Sequence, residues 1–452
     1  MGLEYIAANI EEIADVLIID NRLKTIDLKS IENTIYQFKP DYVGISCNYT
    51  PQIYHVVKIA NIAKTYGSKT VIGGWHPTLV PKETLEFQSI DILIRCEGEI
   101  TFRELIQNNS PIGIPGLSYK KNGKIIHNPD RELLDLKHIK LPSRHYRSKE
   151  AKVEYTFYGF PIDCIETSRG CPYSCNFCCI HEFYRKRYRT RSIPSIIKEL
   201  NSNEVKNQSP FIFIIDDNFL VDHKFVEELC NAIIQEGIRK YFSTQIRVDM
   251  IVKHPKIIKK MADAGFIFLF LGIESFSDRT LDFLNKQTKF KQIKLALKIL
   301  HDYGYFIQGN IILGSNFEDK KDDLESTIEI AKKLEIDLTT FSVLTPFPGT
   351  KLMEKVLEDN LLLSNDWREF NWSVPIIKYP YLSIKDLKDF LNRAFFEVSN
   401  SKKLWPRIKT VVLNRGLRFH IPRVVNIIMV KAIFQKIEHS LKQRSKKSNK
   451  KK

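Results

Sequence analysis

The chain is 452 residues long, 43% apolar and 27% charged, with 28 Phe and 18 Tyr. That is enough for more than one packed core and too apolar for a disordered chain. Its 69 Lys and Arg against 53 Asp and Glu give a formal net charge of +16, but residues 401–452 hold 16 of the basic residues and one acid, Glu438. The first 400 residues are therefore near neutral, which argues against a nucleic-acid-binding face on the main body. No apolar run reaches the ~18 residues of a bilayer-spanning helix. No basic stretch followed by an apolar one opens the chain, so its eight cysteines read as reduced thiols of a cytoplasmic protein.

Residues 1–108 alternate short apolar runs with helical periodicity. "VLIID" (16–20), "YVGISC" (42–47), "TVIGG" (70–74) and "DILIRC" (91–96) predict buried strands, rich in β-branched residues and bounded by polar turns. Between them "IENTIYQF" and "IYHVVKIANIAKTYG" carry helical spacing, the second closed by Gly67. This is the pattern of a parallel, doubly wound α/β sheet, whose ligands sit beyond the carboxyl ends of the strands. The stretches leaving those ends are "SCNYTP", "GGWHPT" and "CEGEITF". Residues 109–150 predict a connector containing a hairpin, "GLSYKKNGKIIHN", that turns at Asn122-Gly123.

Over 151–355 the alternation resumes at a longer period. Strands are predicted at 163–168, 211–216, 241–248, 266–275, 306–314 and 338–347. Six strand–helix units in a row predict a barrel or partial barrel, with chemistry at the carboxyl ends of its strands. Residues 356–452 predict a helical extension ending in a basic tail.

The first of those strands runs into "ETSRGCPYSCNFCCI", which places Cys171, Cys175, Cys178 and Cys179 within nine positions. Local loops that supply several thiolates bind soft metals. Structural zinc takes four ligands, usually from two separated C-x2-C pairs; here a second pair is missing, and His181 is the one candidate for a fourth ligand. An iron–sulfur cubane also normally takes four thiolates, so three leave one iron open to bind a small molecule. Cys179, adjacent to Cys178, reads as a small buried hydrophobe, as do Cys164 and Cys230.

C-x3-C-x2-C with an aromatic before the last cysteine (Cys171, Cys175, Phe177, Cys178) resembles the signature of the radical S-adenosylmethionine enzymes. The resemblance extends through "DDNF" (216–219), "QIRVD" (245–249), "GIES" (272–275), "GNIILG" (309–314) and "TPFPGT" (345–350). It implies a partial (β/α)6 barrel and a [4Fe-4S] cluster on Cys171, Cys175 and Cys178. It also implies S-adenosylmethionine chelated on the fourth iron and cleaved by one electron to a 5′-deoxyadenosyl radical. A one-electron donor such as flavodoxin or ferredoxin goes with that chemistry. Candidate contacts to the cosubstrate are Phe177, Asp217 with Asp216, Arg247 for its carboxylate, Glu274 and Ser275, with Gly309 and Gly314 for close approach to adenine. The competing readings are a structural ion pair for Arg247, helix caps for Glu274–Ser275 and for the aspartates, and an ordinary bulge at the glycines.

Residues 1–108 resemble the cobalamin-binding domain, flavodoxin-like, that precedes the radical domain in one branch of that superfamily. The resemblance implies cobalamin across the strand ends, lined by Ser46, Thr50, Gly73, Gly74, His76, Thr78, Glu97, Gly98 and Glu99. Without a D-x-H-x-x-G signature no histidine is assigned to cobalt, and His76 reads as a wall residue. Relative to that branch the first strand, central in the order 2-1-3-4-5, is missing ahead of "GLEYIAANI". Either the true start lies upstream of Met1, or the sheet lacks a central strand and binds cobalamin weakly.

The function implied is cobalamin-dependent methyl transfer to an unactivated carbon of a small-molecule or lipid substrate. Its rivals are a radical rearrangement, cyclisation or oxidation in lipid or tetrapyrrole synthesis, and a cluster-bearing binding or regulatory protein without turnover. A tRNA-methylthiolating enzyme is disfavoured, because the first domain lacks its own cysteine triad. The tail mixes an apolar stripe with Lys and Arg. It reads as a packed helix with a solvated end or as a segment drawn to an anionic membrane surface at the inner face, and nucleic-acid binding lacks aromatic interleaving.

Overall fold

The computed structural model describes residues 1–23, 26–147, 155–157, 160–206 and 209–399. The basic tail expected at the end of the chain lies outside the described residues.

Strands β1 (Tyr42–Ser46), β2 (Lys69–Gly73) and β3 (Ile92–Ile94) pair in parallel, and β4 (Leu117–Lys121) and β5 (Lys124–His127) extend the sheet antiparallel in the order β1-β2-β3-β4-β5. The period of two in these strands separates two cores. Ile72 and Leu93 face the helix Ile53–Thr65, against Ile53, Val56, Ala60 and Leu85. Val71, Ile92 and Ile94 face Phe102 and Leu105 of the helix Glu99–Asn108, joined by Ile10. The helix Gly2–Ile10 lies over that second face, and its Tyr5 is 2% exposed.

Two expectations change. Val16–Asp20 is not a strand: it pairs with none of the described strands, and the sheet ends at β1. Its side chains are still used, with Ile19 packing beside Val43 and Ile45 and Val16 against the opposite face, while Leu17 is 48% exposed. The hairpin expected within a connector is instead part of the first sheet, β4 pairing with β3. Its turn runs through Asn122 (φ 50°) and Gly123 (φ 74°), the left-handed pair that a two-residue hairpin requires.

The second sheet has six parallel strands in sequence order: β7 (Phe160–Ile165), β10 (Phe211–Ile214), β11 (Tyr241–Arg247), β12 (Phe266–Glu274), β13 (Phe306–Leu313) and β14 (Leu338–Val343). β6 (Thr156–Phe157) adds an antiparallel edge beside β7, and a two-stranded ribbon of β8 (Ser168–Arg169) and β9 (Arg189–Thr190) follows β7. Sequential order with helices between makes this an open half-barrel. Its core includes Ile212, Ile214, Phe242, Leu269, Leu271 and Ile307, with Leu229 and Cys230 of the helix His223–Gln235. The strands of this sheet end one to four residues before the predicted ends.

Candidate active site between the two sheets

The cysteine loop leaves β8 at Gly170 (φ 90°), where a Cβ would lie 2.0 Å from the Arg187 carbonyl oxygen, so only glycine makes this turn. Asparagines clamp the loop to the turn after the helix Asp278–Phe283. Asn176 Nδ2 donates to the Phe283 carbonyl (2.6 Å), Asn176 N donates to the Leu284 carbonyl (3.1 Å), and Asn285 Nδ2 donates to the Ser174 carbonyl (2.7 Å). Asp217 accepts from Gly170 N at 2.9 Å, and burial pushes its carboxyl up to about 6. Asp216 binds Thr167 N (2.7 Å) and the Ser168 hydroxyl (2.5 Å), tying β10 to the start of the loop. The aspartates thus hold the loop; the cap of the following helix is Asp222.

Cys171, Cys175 and Cys178 lie near enough to influence one another electrostatically. Asn218 Nδ2 is 3.9 Å from Cys171 Sγ, and Arg247 Nη1 is 3.5 Å from Cys175 Sγ. Among the described residues no three His, Cys, Asp or Glu side chains converge on a single ion. Three thiols on one short loop, with hydrogen-bond donors beside two of the sulfurs, suit a cluster in which each thiolate meets a different iron. The three thiols therefore fit a [4Fe-4S] cluster. His181, the candidate fourth zinc ligand, is 1% exposed, with its Nε2 3.2 Å from Glu182 Oε1.

Arg247 is committed within the protein. Its Nε donates to Asp249 (2.9 Å), Nη2 donates to the Lys286 carbonyl, and its guanidinium lies 3.7 Å from the Tyr173 ring centroid. Glu274 ends β12 in the left-handed region (φ 63°) and accepts from Lys286 Nζ at 2.7 Å, both buried. Lys286, Asn218 and Tyr173 were not singled out in the sequence; Lys286 sits in a loop, and nothing local marks a lysine that folding will bury. Ser275 accepts from Ser277 N (3.2 Å), and it is Ser277 that caps the next helix. The room that Gly309 and Gly314 leave is filled from within the protein, by Ile273 and Ile336 at the first, by Leu387 and Tyr379 at the second. Phe177 packs partly buried against the barrel core.

On the other side of the site stand the loops that leave β1 and β2. Ser46 Oγ accepts from Asn48 Nδ2 (3.1 Å), and Thr50 is buried beside them. These neutral hydroxyl and amide groups at strand ends, next to Gly73 and Gly74, suit the amide-bearing rim of a corrinoid. Thr78 is engaged internally, donating to the Gly74 carbonyl and accepting from Cys96 N. Glu97 and Glu99, expected on the corrinoid wall, are consumed elsewhere: both pair with Arg169, and Glu97 also with Arg189. Gly98 lies under Ile6.

A cavity separates the two halves. Asn48, Tyr49, Thr50, Trp75, His76 and Leu79 line it from the first sheet, and Cys179, Phe347, Pro348 and Trp372 from the barrel. His76 is 3% exposed, its Nδ1 has no partner, and burial pushes its imidazole down to about 4, so it is neutral. Of the expected wall residues, Thr50 and His76 reach this cavity; the aromatic members were legible only as aromatics in strand-end loops.

The chain matches the family model of the radical SAM superfamily over residues 165–331 and that of the B12 binding domain over residues 1–106. It is 34% identical over 404 residues to an uncharacterised methyltransferase of Pyrococcus horikoshii, spanning 87% of this chain and 86% of that one. To the hopanoid C-3 methylase of Methylococcus capsulatus it is 27% identical over 388 residues, covering 82% and 71% of the two chains. To the anaerobic magnesium-protoporphyrin IX monomethyl ester cyclase of Rubrivivax gelatinosus it is 27% identical over 412 residues, covering 86% and 72%. Among solved structures, the fold is shared with the cobalamin-dependent S-adenosylmethionine radical enzyme OxsB, at TM-score 0.72, 18% identity and coverage of 98% and 72%. It is shared also with the radical S-adenosylmethionine methyltransferase TsrM of Kitasatospora setae, at TM-score 0.69, 16% identity and coverage of 87% and 82%. The chain belongs to the radical SAM enzymes that carry an N-terminal B12-binding domain. The cofactors of that family are a [4Fe-4S] cluster, S-adenosylmethionine and cobalamin.

Proposed function

We propose that this enzyme transfers a methyl group to an unactivated carbon of a small organic or lipid substrate held between its two sheets. The observation that carries the reading is the facing of two walls: the three-cysteine loop at the mouth of the half-barrel, and the neutral strand-end loops Ser46–Thr50 and Gly73–His76 across the cavity. When bound, the cluster with S-adenosylmethionine supplies a 5′-deoxyadenosyl radical and cobalamin supplies a methyl group, so the hard chemistry belongs to the cofactors. The chain's own residues hold and exclude. Cys171, Cys175 and Cys178 ligate, Arg247 and Asn218 face two of their sulfurs, and the apolar cavity keeps water from the reacting groups. The Lys286–Glu274 pair and Ser275 border the same strand ends and are candidates for the cosubstrate's polar groups.

A ring-forming or oxidative reaction is the second reading, supported by the similarity to a protoporphyrin ester cyclase. The test uses the anaerobically reconstituted full chain with cobalamin, a one-electron reductant and S-adenosylmethionine labelled in its methyl group. Transfer of label to cobalamin together with release of 5′-deoxyadenosine supports methyl transfer. Release of 5′-deoxyadenosine while cobalamin stays unlabelled favours the second reading, and neither product leaves a binding protein.

Among the described residues no helix is long and apolar enough to cross a membrane. The charge of residues 401–452 supports a cytoplasmic enzyme that associates peripherally with anionic lipid, each basic residue near the surface contributing about 1 kcal/mol. Co-sedimentation with anionic vesicles at low salt, lost on deleting those residues, tests it.

A further inference from the structure

The loop that carries Cys171, Cys175 and Cys178 is pinched at its base. β8 enters it and β9 leaves it, and the two strands pair antiparallel with Arg169 opposite Arg189. Both arginines reach the same side chain. Glu97 Oε1 accepts from Arg169 Nη1 (2.8 Å), and Glu97 Oε2 accepts from Arg189 Nη1 (2.9 Å). Among the described residues Glu97 is the one acid that pairs with Arg189, whereas Arg169 also meets Glu99 and Glu166. One carboxylate thus holds the strand before the loop and the strand after it.

Glu97 does not belong to the barrel. It lies just beyond β3, and its backbone is fixed to the strand-end loops of the first sheet. Cys96, which precedes it, sits at φ 62°, a left-handed conformation that a non-glycine residue keeps where its surroundings fix it. Cys96 N donates to the Thr78 hydroxyl (2.9 Å), which donates in turn to the Gly74 carbonyl (2.7 Å). Leu134 N, from the stretch between β5 and β6, donates to Glu97 Oε2 at 2.8 Å. Burial pushes the Glu97 carboxyl up, but the charges and hydrogen bonds of Arg169 and Arg189 outweigh it and hold the group below its ordinary value, so it is ionised. Shut away from water, that charge acts at low dielectric and is poorly screened.

We propose that Glu97 is a positioning residue for the iron–sulfur cluster: a carboxylate of the B12-binding sheet that clamps both ends of the cysteine loop and sets the reduction potential of the cluster held there. The inference rests on the reading of Cys171, Cys175 and Cys178 as the ligands. Cluster potentials follow nearby charge, hydrogen bonding and solvent exposure, and residues one layer behind the ligands orient them. Taking up an electron makes the cluster more negative, so losing a nearby anion favours reduction and losing a nearby cation opposes it. Glu97 and Arg189 are the two halves of one clamp, yet they act on the potential with opposite sign. A clamp that only held the fold together would move the potential the same way whichever half was removed.

The test is an anaerobic dithionite titration, with dye mediators, of the full chain carrying its reconstituted cluster. The reduced cluster is followed by electron paramagnetic resonance, with neither S-adenosylmethionine nor cobalamin added. Glu97→Gln should raise the potential by about 59 mV, a tenfold change in the one-electron equilibrium constant. Arg189→Met should lower it by a similar factor, and the double variant should return to within threefold of the parent. Glu97→Asp keeps the charge but is too short to span both arginines, so its potential should stay near the parent's. These three single variants should each lose iron to EDTA at least threefold faster than the parent. Glu83→Gln, an exposed charge change in the same domain, should alter neither property. Iron content and melting temperature establish that each variant is folded. If Glu97→Gln does not fold, the fall in Arg189→Met against the steady value of Glu97→Asp decides. Full clusters whose potentials do not move, or move in the same direction in Glu97→Gln and Arg189→Met, would overturn the proposal alone. So would iron loss unchanged in all three variants. A parent chain that assembles no cluster would refute the ligand reading and the proposal with it.

Discussion

Arg169 Nη1 lies 2.8 Å from Glu97 Oε1, and both side chains are shut away from water. The pair joins the barrel, two residues before Cys171, to the end of the B12-binding sheet. The same guanidinium meets Glu99 at 2.7 Å and Glu166 at 2.8 Å and lies over the Tyr5 ring. One arginine therefore ties three carboxylates from both sheets to the base of the cysteine loop.

Removing that cation leaves buried carboxylates uncompensated, which costs about 3–5 kcal/mol. Arg169→Met is expected to lower the stability of the full chain by that order in urea denaturation, and adding Glu99→Gln should recover part of the loss. A midpoint unchanged in Arg169→Met would mean that water reaches the cluster of charges.

Burial pushes the Glu166 carboxyl up from 4.5 to about 7, with the Arg169 charge and hydrogen bond holding it back from rising further. The folded value lies above the unfolded one. Between pH 4.5 and 7 the folded chain thus binds more protons, and the contribution of Glu166 to stability falls as pH rises through that window. Glu166→Gln should gain stability relative to the parent between about pH 5 and about pH 7. Parallel stability–pH curves for the two proteins would contradict this.

Cys171→Ala, Cys175→Ala and Cys178→Ala should each abolish the reconstituted cluster. Cys179→Ala should keep it, since its side chain lines the cavity between the sheets. Iron and sulfide counts on the four variants decide, and a cluster lost in Cys179→Ala alone would overturn the ligand assignment.

Lys286→Met should strand Glu274 as a buried charge and destabilise by about 3–5 kcal/mol. The double variant with Glu274→Gln should recover most of that, because the strongest penalty is the unpaired carboxylate rather than the lost contact. Additive losses in the double-mutant cycle would show that the two groups do not act as a pair.

Gly74 sits at φ 113°, ψ −170°, where a Cβ would meet Asn48 Oδ1 at 2.4 Å and the Cys47 carbonyl oxygen at 2.7 Å. Gly74→Ala must move the Asn48–Thr50 loop, at a strain of about 1–3 kcal/mol. An absorbance-monitored cobalamin titration is expected to show at least tenfold weaker binding. Equal binding would place the corrinoid away from this loop.

The sequence by itself determined the two-sheet organisation and the cluster. Strand–helix alternation is written in local periodicity, and three thiols on one short loop need no distant partner to declare a metal site. It also carried the hairpin turn, since Asn122-Gly123 dictates left-handed backbone wherever it occurs. What it left undecided was every property that depends on which surfaces meet. "VLIID" has the composition of a strand, but a strand exists through its neighbour, and Val16–Asp20 pairs with none of the described strands. Glu97 and Glu99 looked like ligand-facing residues beyond a strand end until Arg169, some seventy positions away, claimed them. Arg247 looked free to bind a carboxylate, yet Asp249, Cys175 and the Lys286 carbonyl take its donors. The cavity wall gathers Tyr49, Trp75, Cys179, Phe347 and Trp372 from stretches spread over more than three hundred residues. Only tertiary packing decides such matters, because burial and partner choice are properties of surfaces that local sequence does not encode.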